Sequence, residues 1–217
     1  MSPTPDTPPD FWRTARVRLR AYCESDVAHC SLWAQDSGRA QHLEHVWAPP
    51  SPSVVASWVA SRARQGFDNG DYSFIIEDSS AQPVGSISTF RCDQRTGTFS
   101  YGIDIAAAHR RRGHAMDAIR LVTRYYFEEC RYQKVTVGVH AANGASIALH
   151  EKLGFTLEGR LRRMVYTGGA FQDELWFGQT AEEFAHPERV IPTNVGIHCL
   201  ALQQPDAGQS GPRPSPG

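Results

Sequence analysis

The chain carries six consecutive residues whose types suit the binding of a phosphate group: Arg110, Arg111, Arg112, Gly113, His114 and Ala115. Guanidinium groups offer forked N–H donors that match phosphate oxygens. Unpaired main-chain N–H groups at the start of a helix also favour an anion, and Gly113 lacks the Cβ that would keep a phosphate away from the main chain. The stretch predicts a pyrophosphate-binding loop, although a solvated charged turn has the same composition.

The elements on either side of this loop place it at a junction between a strand and a helix. Residues 98–105 are predicted as a strand, and residues 113–129 as a helix whose apolar side chains share one face, with Asp117 on another. Residues 134–140 alternate valine with other residues, which is typical of a strand. A strand, a helix and a strand in this order predict a right-handed crossover between parallel neighbours.

The rest of the folded region is predicted as an antiparallel arrangement of strands with further helices. Period-two alternation and turn residues indicate strands at 16–22, 72–77, 84–90, 155–166 and 171–179. Ser51 followed by Pro52 predicts the start of a helix that carries Val55, Trp58 and Val59 at helical spacing. Asn143 predicts the start of another helix.

Three blocks of this sequence resemble one known superfamily. Arg110-x-x-Gly113-x-Ala115 resembles the acyl-CoA signature (Gln/Arg)-x-x-Gly-x-(Gly/Ala) of the GNAT N-acetyltransferases. Residues 143–155, NGASIALHEKLGF, are similar to that superfamily's Asn-x-x-(Ala/Ser)-x-x-x-(Tyr)-x-Lys-Leu-Gly-Phe block. Residues 158–173 resemble the branch that holds ribosomal-protein and spermidine acetyltransferases. The blocks come in family order, and the resemblance spans residues 14–184.

The resemblance implies a fold and a set of residues that bind the co-substrate. The implied fold is an α/β (α+β) GNAT fold: a mixed, mostly antiparallel sheet of six to seven strands flanked by helices, with splayed central strands. Acetyl-CoA is the implied co-substrate, with its pantetheine arm between the splayed strands. Beyond the arginine loop, the residues implied to bind it are Ile103 and Ile105 through their backbones, Asn143, Ser146 and Lys152. Asn143 is equally suited to capping the helix that follows it.

The resemblance leaves the catalytic residues open at two positions. The family commonly has a tyrosine as general acid where this chain has His150, whose imidazole suits an acid, a base or a residue of the helix surface. Many relatives carry a glutamate early in the central strand, where this chain has Phe99 and Ser100. Asp104 is the nearest carboxylate on that strand, and His140 or ordered water are alternatives as the base.

The function implied is an acetyl-CoA-dependent N-acetyltransferase that transfers its acetyl group directly to a primary amine. The acceptor is expected to be a protein N-terminus or a small amine such as a polyamine or an antibiotic. The alternative is a non-catalytic acyl-CoA-binding sensor or scaffold, because the acid and base positions depart from the family pattern. A nucleotide-binding module of another class is disfavoured, since the chain has neither a GxxxxGK[ST] nor a GxGxxG motif.

Composition limits the partners and the location that we expect. The formal net charge is −1 and no apolar run approaches a membrane span, so neither a nucleic acid nor a membrane is expected as a partner. The five cysteines are scattered and the first residues do not form a signal peptide, which suits a cytoplasmic protein. No metal site is expected.

The expected organisation is one acetyltransferase domain at residues 13–184, with a disordered N-terminus at 1–12 and a mostly disordered tail at 185–217. The apolar segment 195–202 in that tail is a candidate for docking on the domain or on a second subunit. A monomer or a homodimer is expected.

Overall fold

The computed structural model describes residues 10–38, 46–66 and 70–187. The predicted disordered N-terminus therefore falls almost wholly outside the described residues, as does the apolar tail segment 195–202. The strands are β1 Val17–Arg20, β2 Ser73–Asp78, β3 Pro83–Asp93, β4 Thr98–Ile105, β5 Lys134–His140, β6 Thr156–Thr167 and β7 Ala170–Thr180. The α-helices are α1 Val27–Ala34, α2 Pro52–Ala63, α3 His114–Glu128, α4 Gly144–Lys152 and α5 Ala181–Ala185.

All seven strands form one sheet in the order β1-β2-β3-β4-β5-β7-β6. The pair β4 and β5 is parallel, with α3 as the crossover, and the other neighbours are antiparallel. The predicted mixed, mostly antiparallel sheet is confirmed. In the part of the chain that the structure describes, no helix is both long enough and apolar enough to cross a membrane.

The two faces of the sheet carry different helices. On one face, Phe99 of β4 stacks on Tyr126 of α3 with 4.1 Å between ring centroids, and both side chains are buried in the larger core. On the other face, Val55 and Val59 of α2 pack with Ile75 of β2 in a smaller core. Trp58 was predicted on the same helical face, but 42% of its surface is exposed, since it lies at the margin of this smaller core.

Local capping explains where two of these helices begin. The Ser51 hydroxyl accepts a hydrogen bond from the Val54 N–H at 3.4 Å, with proline at the first position of α2. The Asn143 side-chain oxygen accepts from the Ser146 N–H at 3.1 Å at the start of α4. Each side chain satisfies one of the N–H groups that a helix start leaves without an intrahelical partner.

The sheet opens between its two parallel strands. Pairing between β4 and β5 covers only three positions, from Thr98 opposite Lys134 to Ser100 opposite Thr136. Beyond them β4 continues to Ile105 and β5 to His140 without pairing to each other. We call this opening the β4–β5 gap, and it confirms the predicted splaying of the central strands.

Candidate functional site

The N-terminus of α3 lies directly after the arginine loop. Gly113 is the N-cap residue and has a left-handed φ of 86°, which glycine adopts without strain. The first helical hydrogen bond runs from the Asp117 N–H to the Gly113 carbonyl at 3.2 Å. The N–H groups of residues 113–116, which come before Asp117, therefore have no intrahelical acceptor. They lie at the positive end of the 15-residue helix.

The three arginines of the loop differ in their contacts. Arg110 donates from Nε to the Ile105 carbonyl at 2.9 Å, which ties the loop back to the end of β4. Arg112 donates to the Ala108 carbonyl at 3.1 Å. Arg111 is exposed and has a left-handed φ of 62°. All three side chains are exposed, so their remaining N–H donors lie near solvent at the loop.

The two residues after Gly113 form the first turn of α3. His114 is buried, its Nδ1 has no hydrogen-bond partner among the described residues, and burial lowers the pKa of its imidazole. Ala115 is partly buried against the core. A neutral histidine and a small residue keep this turn compact beneath the loop.

An additional arginine, which the sequence reading did not identify, lies against the loop. Arg16 donates from Nε and Nη2 to the two carboxylate oxygens of Asp117 at 2.9 and 2.7 Å, and Thr14 donates to the same carboxylate at 2.9 Å. Burial opposes ionisation of Asp117, but these hydrogen bonds outweigh it and hold the pKa of its carboxyl below the usual value. A Cβ placed on Gly113 would lie 3.4 Å from the Arg16 guanidinium carbon, so this fixed cation borders the loop.

Backbone groups of β4 face the β4–β5 gap. Ala106 donates its N–H to the Val84 carbonyl of the β3 segment, so even-numbered residues of β4 bond to β3. Because backbone direction alternates along a strand, the backbone groups of Ile103 and Ile105 point to the opposite edge, where β5 has diverged. The Ile105 carbonyl is already bonded to Arg110, whereas Ile103 offers both backbone groups to the gap.

A buried hydrogen-bonded pair joins β4 to α4 beside the gap. The Tyr101 hydroxyl lies 2.9 Å from Nε2 of His150, and Nδ1 of His150 lies 2.8 Å from the Ser146 carbonyl. A carbonyl only accepts, so Nδ1 carries the proton and Nε2 accepts from Tyr101. Burial lowers the pKa of His150 and raises that of Tyr101 well above its ordinary value, so both groups are neutral at neutral pH.

The other predicted residues lie at different places around the gap. Asp104 is on the face of β4 opposite Tyr101, with its carboxylate 4.0 Å from the Arg110 guanidinium. The two predicted catalytic residues, His150 and Asp104, are therefore not brought together on one face. Asn143 caps α4, and Lys152 is exposed at the last position of the same helix, away from that cap.

The Acetyltransferase (GNAT) domain family matches residues 16–156 of this chain. The chain belongs to the GNAT acetyltransferase family. A Bacillus subtilis relative, the SPbeta prophage-derived N-acetyltransferase YokL, is 35% identical over 174 residues, which cover 80% of this chain and 95% of the relative. The spermidine N(1)-acetyltransferase of Vibrio cholerae is 26% identical over 106 residues, which cover 49% of this chain and 61% of that protein.

The fold agrees with this membership. The crystal structure of spermidine N-acetyltransferase from Vibrio cholerae in complex with CoA and spermine has a TM-score of 0.70 and 20% sequence identity. The alignment covers 79% of this chain and 99% of that one. At this identity the likeness is one of fold, and it confirms the predicted GNAT architecture.

GNAT acetyltransferases use acetyl-CoA, and the described residues fit that co-substrate. The loop before α3 combines free N–H groups, exposed arginines and a glycine, which suits a pyrophosphate. The β4–β5 gap presents the Ile103 backbone groups to an extended amide-containing arm. Both the sequence match and the fold therefore identify a GNAT acetyltransferase, and the prediction of an enzyme of this class is confirmed.

Proposed function

We propose that this protein transfers an acetyl group from acetyl-CoA directly to a primary amine bound with it in a ternary complex. The observation that carries the proposal is the joint presence of the anion-binding loop and the β4–β5 gap at the end of the same strand. Arg110 links them physically, because it donates to the carbonyl of the last β4 residue. In this proposal the loop holds the pyrophosphate, and the backbone of Ile103 pairs with the pantetheine arm.

Amide formation has three chemical needs. An alkyl ammonium with a pKa of about 10 must lose a proton before it is nucleophilic, and the departing thiolate must gain one. The carbonyl oxygen that becomes negative needs a donor, and a preformed donor of this kind is typically worth about 3 kcal/mol. The gap-facing N–H of Ile103 is our candidate for that donor.

His150 occupies the position of the family tyrosine, and its geometry offers two distinct roles. As a general acid it would give a proton to the thiolate, which requires the proton to move from Nδ1 to Nε2. As a positioning residue it would hold Tyr101 and α4 beside the reacting groups. Substitution separates these roles, because tyrosine can donate a proton whereas glutamine keeps an acceptor for Tyr101 without acid function.

The acceptor proposed is a small cationic amine or a protein N-terminus. The polyamine class is supported by the Vibrio cholerae relative and by the spermine in the crystal structure of a protein with this fold. A protein N-terminus is the acceptor of the ribosomal-protein branch that residues 158–173 resemble. Both acceptors present a primary amine that is protonated in large part at neutral pH.

Thiol release from acetyl-CoA tests the proposal. The full chain is assayed with polyamines, aminoglycosides, amino acids and short peptides, and His150→Ala, His150→Tyr and His150→Gln are measured with the best acceptor. Activity that is lost in His150→Ala and restored only in His150→Tyr would identify an acid, whereas restoration by His150→Gln would identify a positioning residue. Tight binding of acetyl-CoA without thiol release for any acceptor would contradict the proposal.

A further inference from the structure

A glutamate that the sequence reading did not single out lies beside the gap, on the sheet face opposite α3. Glu174 of β7 crosses over Gly138 of β5, so that a Cβ placed on Gly138 would lie 2.6 Å from its Oε1 and 2.9 Å from its Cδ. Real Cβ atoms do not come so close to a carboxylate. The carboxylate therefore occupies the space that a side chain at position 138 would fill, at a point where β5 is no longer paired with β4.

The carboxylate of Glu174 is held by a tryptophan. Trp176 lies two residues further along β7 and donates from Nε1 to Oε2 of Glu174 at 2.9 Å. Trp176 is also the direct partner of Gly138 in the pairing of β5 with β7. The Trp176 indole thus fixes Oε2 of Glu174 by a hydrogen bond, while Oε1 lies over Gly138.

A second glutamate on the same face provides a direct contrast. Glu158 of β6 crosses over Gly178 of β7, where a Cβ would lie 2.5 Å from its Oε1. Its carboxylate is neutralised by Lys134 Nζ, 2.6 Å away. Among the described residues, Glu174 makes no ion pair within 4.0 Å, and its side chain accepts a hydrogen bond from Trp176. Of these two similarly placed carboxylates, only Glu158 has a cation within ion-pair distance among the described residues.

The groups around Glu174 suit a cationic ligand. The guanidinium carbon of Arg91 lies 5.8 Å from the ring centroids of both Phe90 and Trp176, which shows that the aromatic surface here accommodates a cation. His140 lies directly opposite Glu174 in the β5–β7 pairing and is buried, with an Nδ1 that has no hydrogen-bond partner among the described residues. For a ligand with N–H donors, the acceptor at this place is Oε1 of Glu174.

We infer that Glu174 binds the ammonium group of the acceptor and acts as the general base of the acetyl transfer. This inference rests on the proposed function and names the acceptor side of the same site. Asp104, the other carboxylate near the gap, lies 4.0 Å from the Arg110 guanidinium and so has a cation beside it. The acceptor class that follows is a protonated alkyl amine, whose ammonium group pairs with the Glu174 carboxylate.

The ammonium gives one proton to the Glu174 carboxylate and becomes a free amine. Its nitrogen forms a bond to the acetyl carbon, the bond from that carbon to sulfur breaks, and coenzyme A leaves as a thiolate. The nitrogen, now positive, gives a second proton to the thiolate. The products are the acetamide, the free thiol of coenzyme A and a protonated Glu174, which returns its proton to water.

Glu174→Gln tests the inference, with Glu158→Gln as the matched control. The glutamine keeps the shape of the side chain and an oxygen for Trp176, but it cannot accept a proton from an ammonium. Thiol release is measured with spermidine or, if the panel finds a better acceptor, with that amine, and acetyl-CoA affinity is measured by calorimetry. The expected result is a fall in kcat/KM of about 100-fold in Glu174→Gln, with acetyl-CoA affinity unchanged. Glu158→Gln is expected to match wild type.

A pH series distinguishes a base from a merely structural glutamate. Without a base, the variant depends on amine that is already deprotonated, so its kcat/KM should rise about tenfold per pH unit between about pH 7 and about pH 9. Wild type should rise less. His140, which lies opposite Glu174, and Arg91, which lies over the Trp176 ring, are the same in both proteins. A constant ratio between the two proteins, or equal activity of Glu174→Gln and Glu158→Gln, would overturn the inference. Failure of the proposed function would differ, because wild type itself would release no thiol.

Discussion

The Tyr101 hydroxyl donates a hydrogen bond of 2.9 Å to Nε2 of His150. This bond between a buried phenol and a buried imidazole leaves the proton of His150 on Nδ1. The bond joins β4 to α4 on the α3 face, while Glu174 lies on the other face of the sheet. The β4–β5 gap is thus bordered by a neutral pair on one side and a carboxylate on the other.

Tyr101→Phe should destabilise the protein by about 1–3 kcal/mol, because it leaves Nε2 of His150 buried without a donor. The free energy of unfolding from urea titrations measures the effect. Tyr166→Phe is the control, since Tyr166 is 59% exposed and its removal should change stability by less than about 0.5 kcal/mol. Equal stability of the two variants would mean that the Tyr101 bond contributes nothing in solution.

His150 should make the wild-type protein sensitive to acid. Its pKa is lowered in the folded state, mainly by burial. At a pH below the unfolded pKa of about 6.5, the unfolded chain therefore binds more protons than the folded one. Stability is therefore present above that pH and is lost as the pH falls. Melting temperatures between about pH 7.5 and about pH 5 should decline more steeply for wild type than for His150→Gln. Parallel curves would show that His150 is not the group responsible.

Gly113→Ala should weaken acetyl-CoA binding by about tenfold, equivalent to about 1.4 kcal/mol. The new methyl group would stand against Arg16, and the left-handed φ of 86° costs an alanine about 1–2 kcal/mol, so the loop should shift. Calorimetric titration with acetyl-CoA measures the change. Gly159→Ala serves as the control, since a Cβ there meets nothing within 4 Å. Unaltered affinity in Gly113→Ala would contradict a phosphate held at this turn.

Arg16→Gln should also weaken acetyl-CoA binding, and more so at low salt, because it removes a positive charge fixed beside the anion-binding loop. Arg18→Gln is a close control: both side chains are 56% exposed, and Arg18 pairs instead with Glu77 on another strand. Affinity is compared at two salt concentrations. If both variants bind acetyl-CoA equally well, Arg16 serves only to neutralise Asp117.

Gly138→Ala should reproduce much of the effect of Glu174→Gln. A methyl group at position 138 would meet the Glu174 carboxylate at 2.6 Å and force it away from its place over β5. The expected result is reduced thiol release with unchanged affinity for acetyl-CoA, assayed beside Gly159→Ala. An active Gly138→Ala variant would show that the present position of Glu174 is not required.

Elements that depend on neighbouring residues were predictable from the sequence. The turn residues before it placed β4 at Thr98–Ile105, and alternating valines placed β5 at Lys134–His140, in agreement with the structure. Ser51 and Asn143 cap the helices that their side chains predicted. These signals are read within a few positions of the chain, where local hydrogen bonding and periodicity decide the outcome.

Contacts between distant residues were not predictable from one sequence. Asp117 was expected on a separate face from the apolar side chains of α3, but it is buried beneath Arg16, which lies 101 positions away. Tyr101 and His150 are 49 positions apart, and no local pattern relates them. Gly138 was a possible signal, since a glycine within an alternating strand often marks a close approach by another group.

The β4–β5 gap also has a mechanical meaning. Four strands on one side and three on the other share only three residue pairs, so the sheet resists bending least along this line. A bound molecule that bridges β4 and β5 would make the whole sheet more rigid. A ligand that bonds to both strands along the β4–β5 gap would therefore supply cross-strand contacts that the protein itself lacks there.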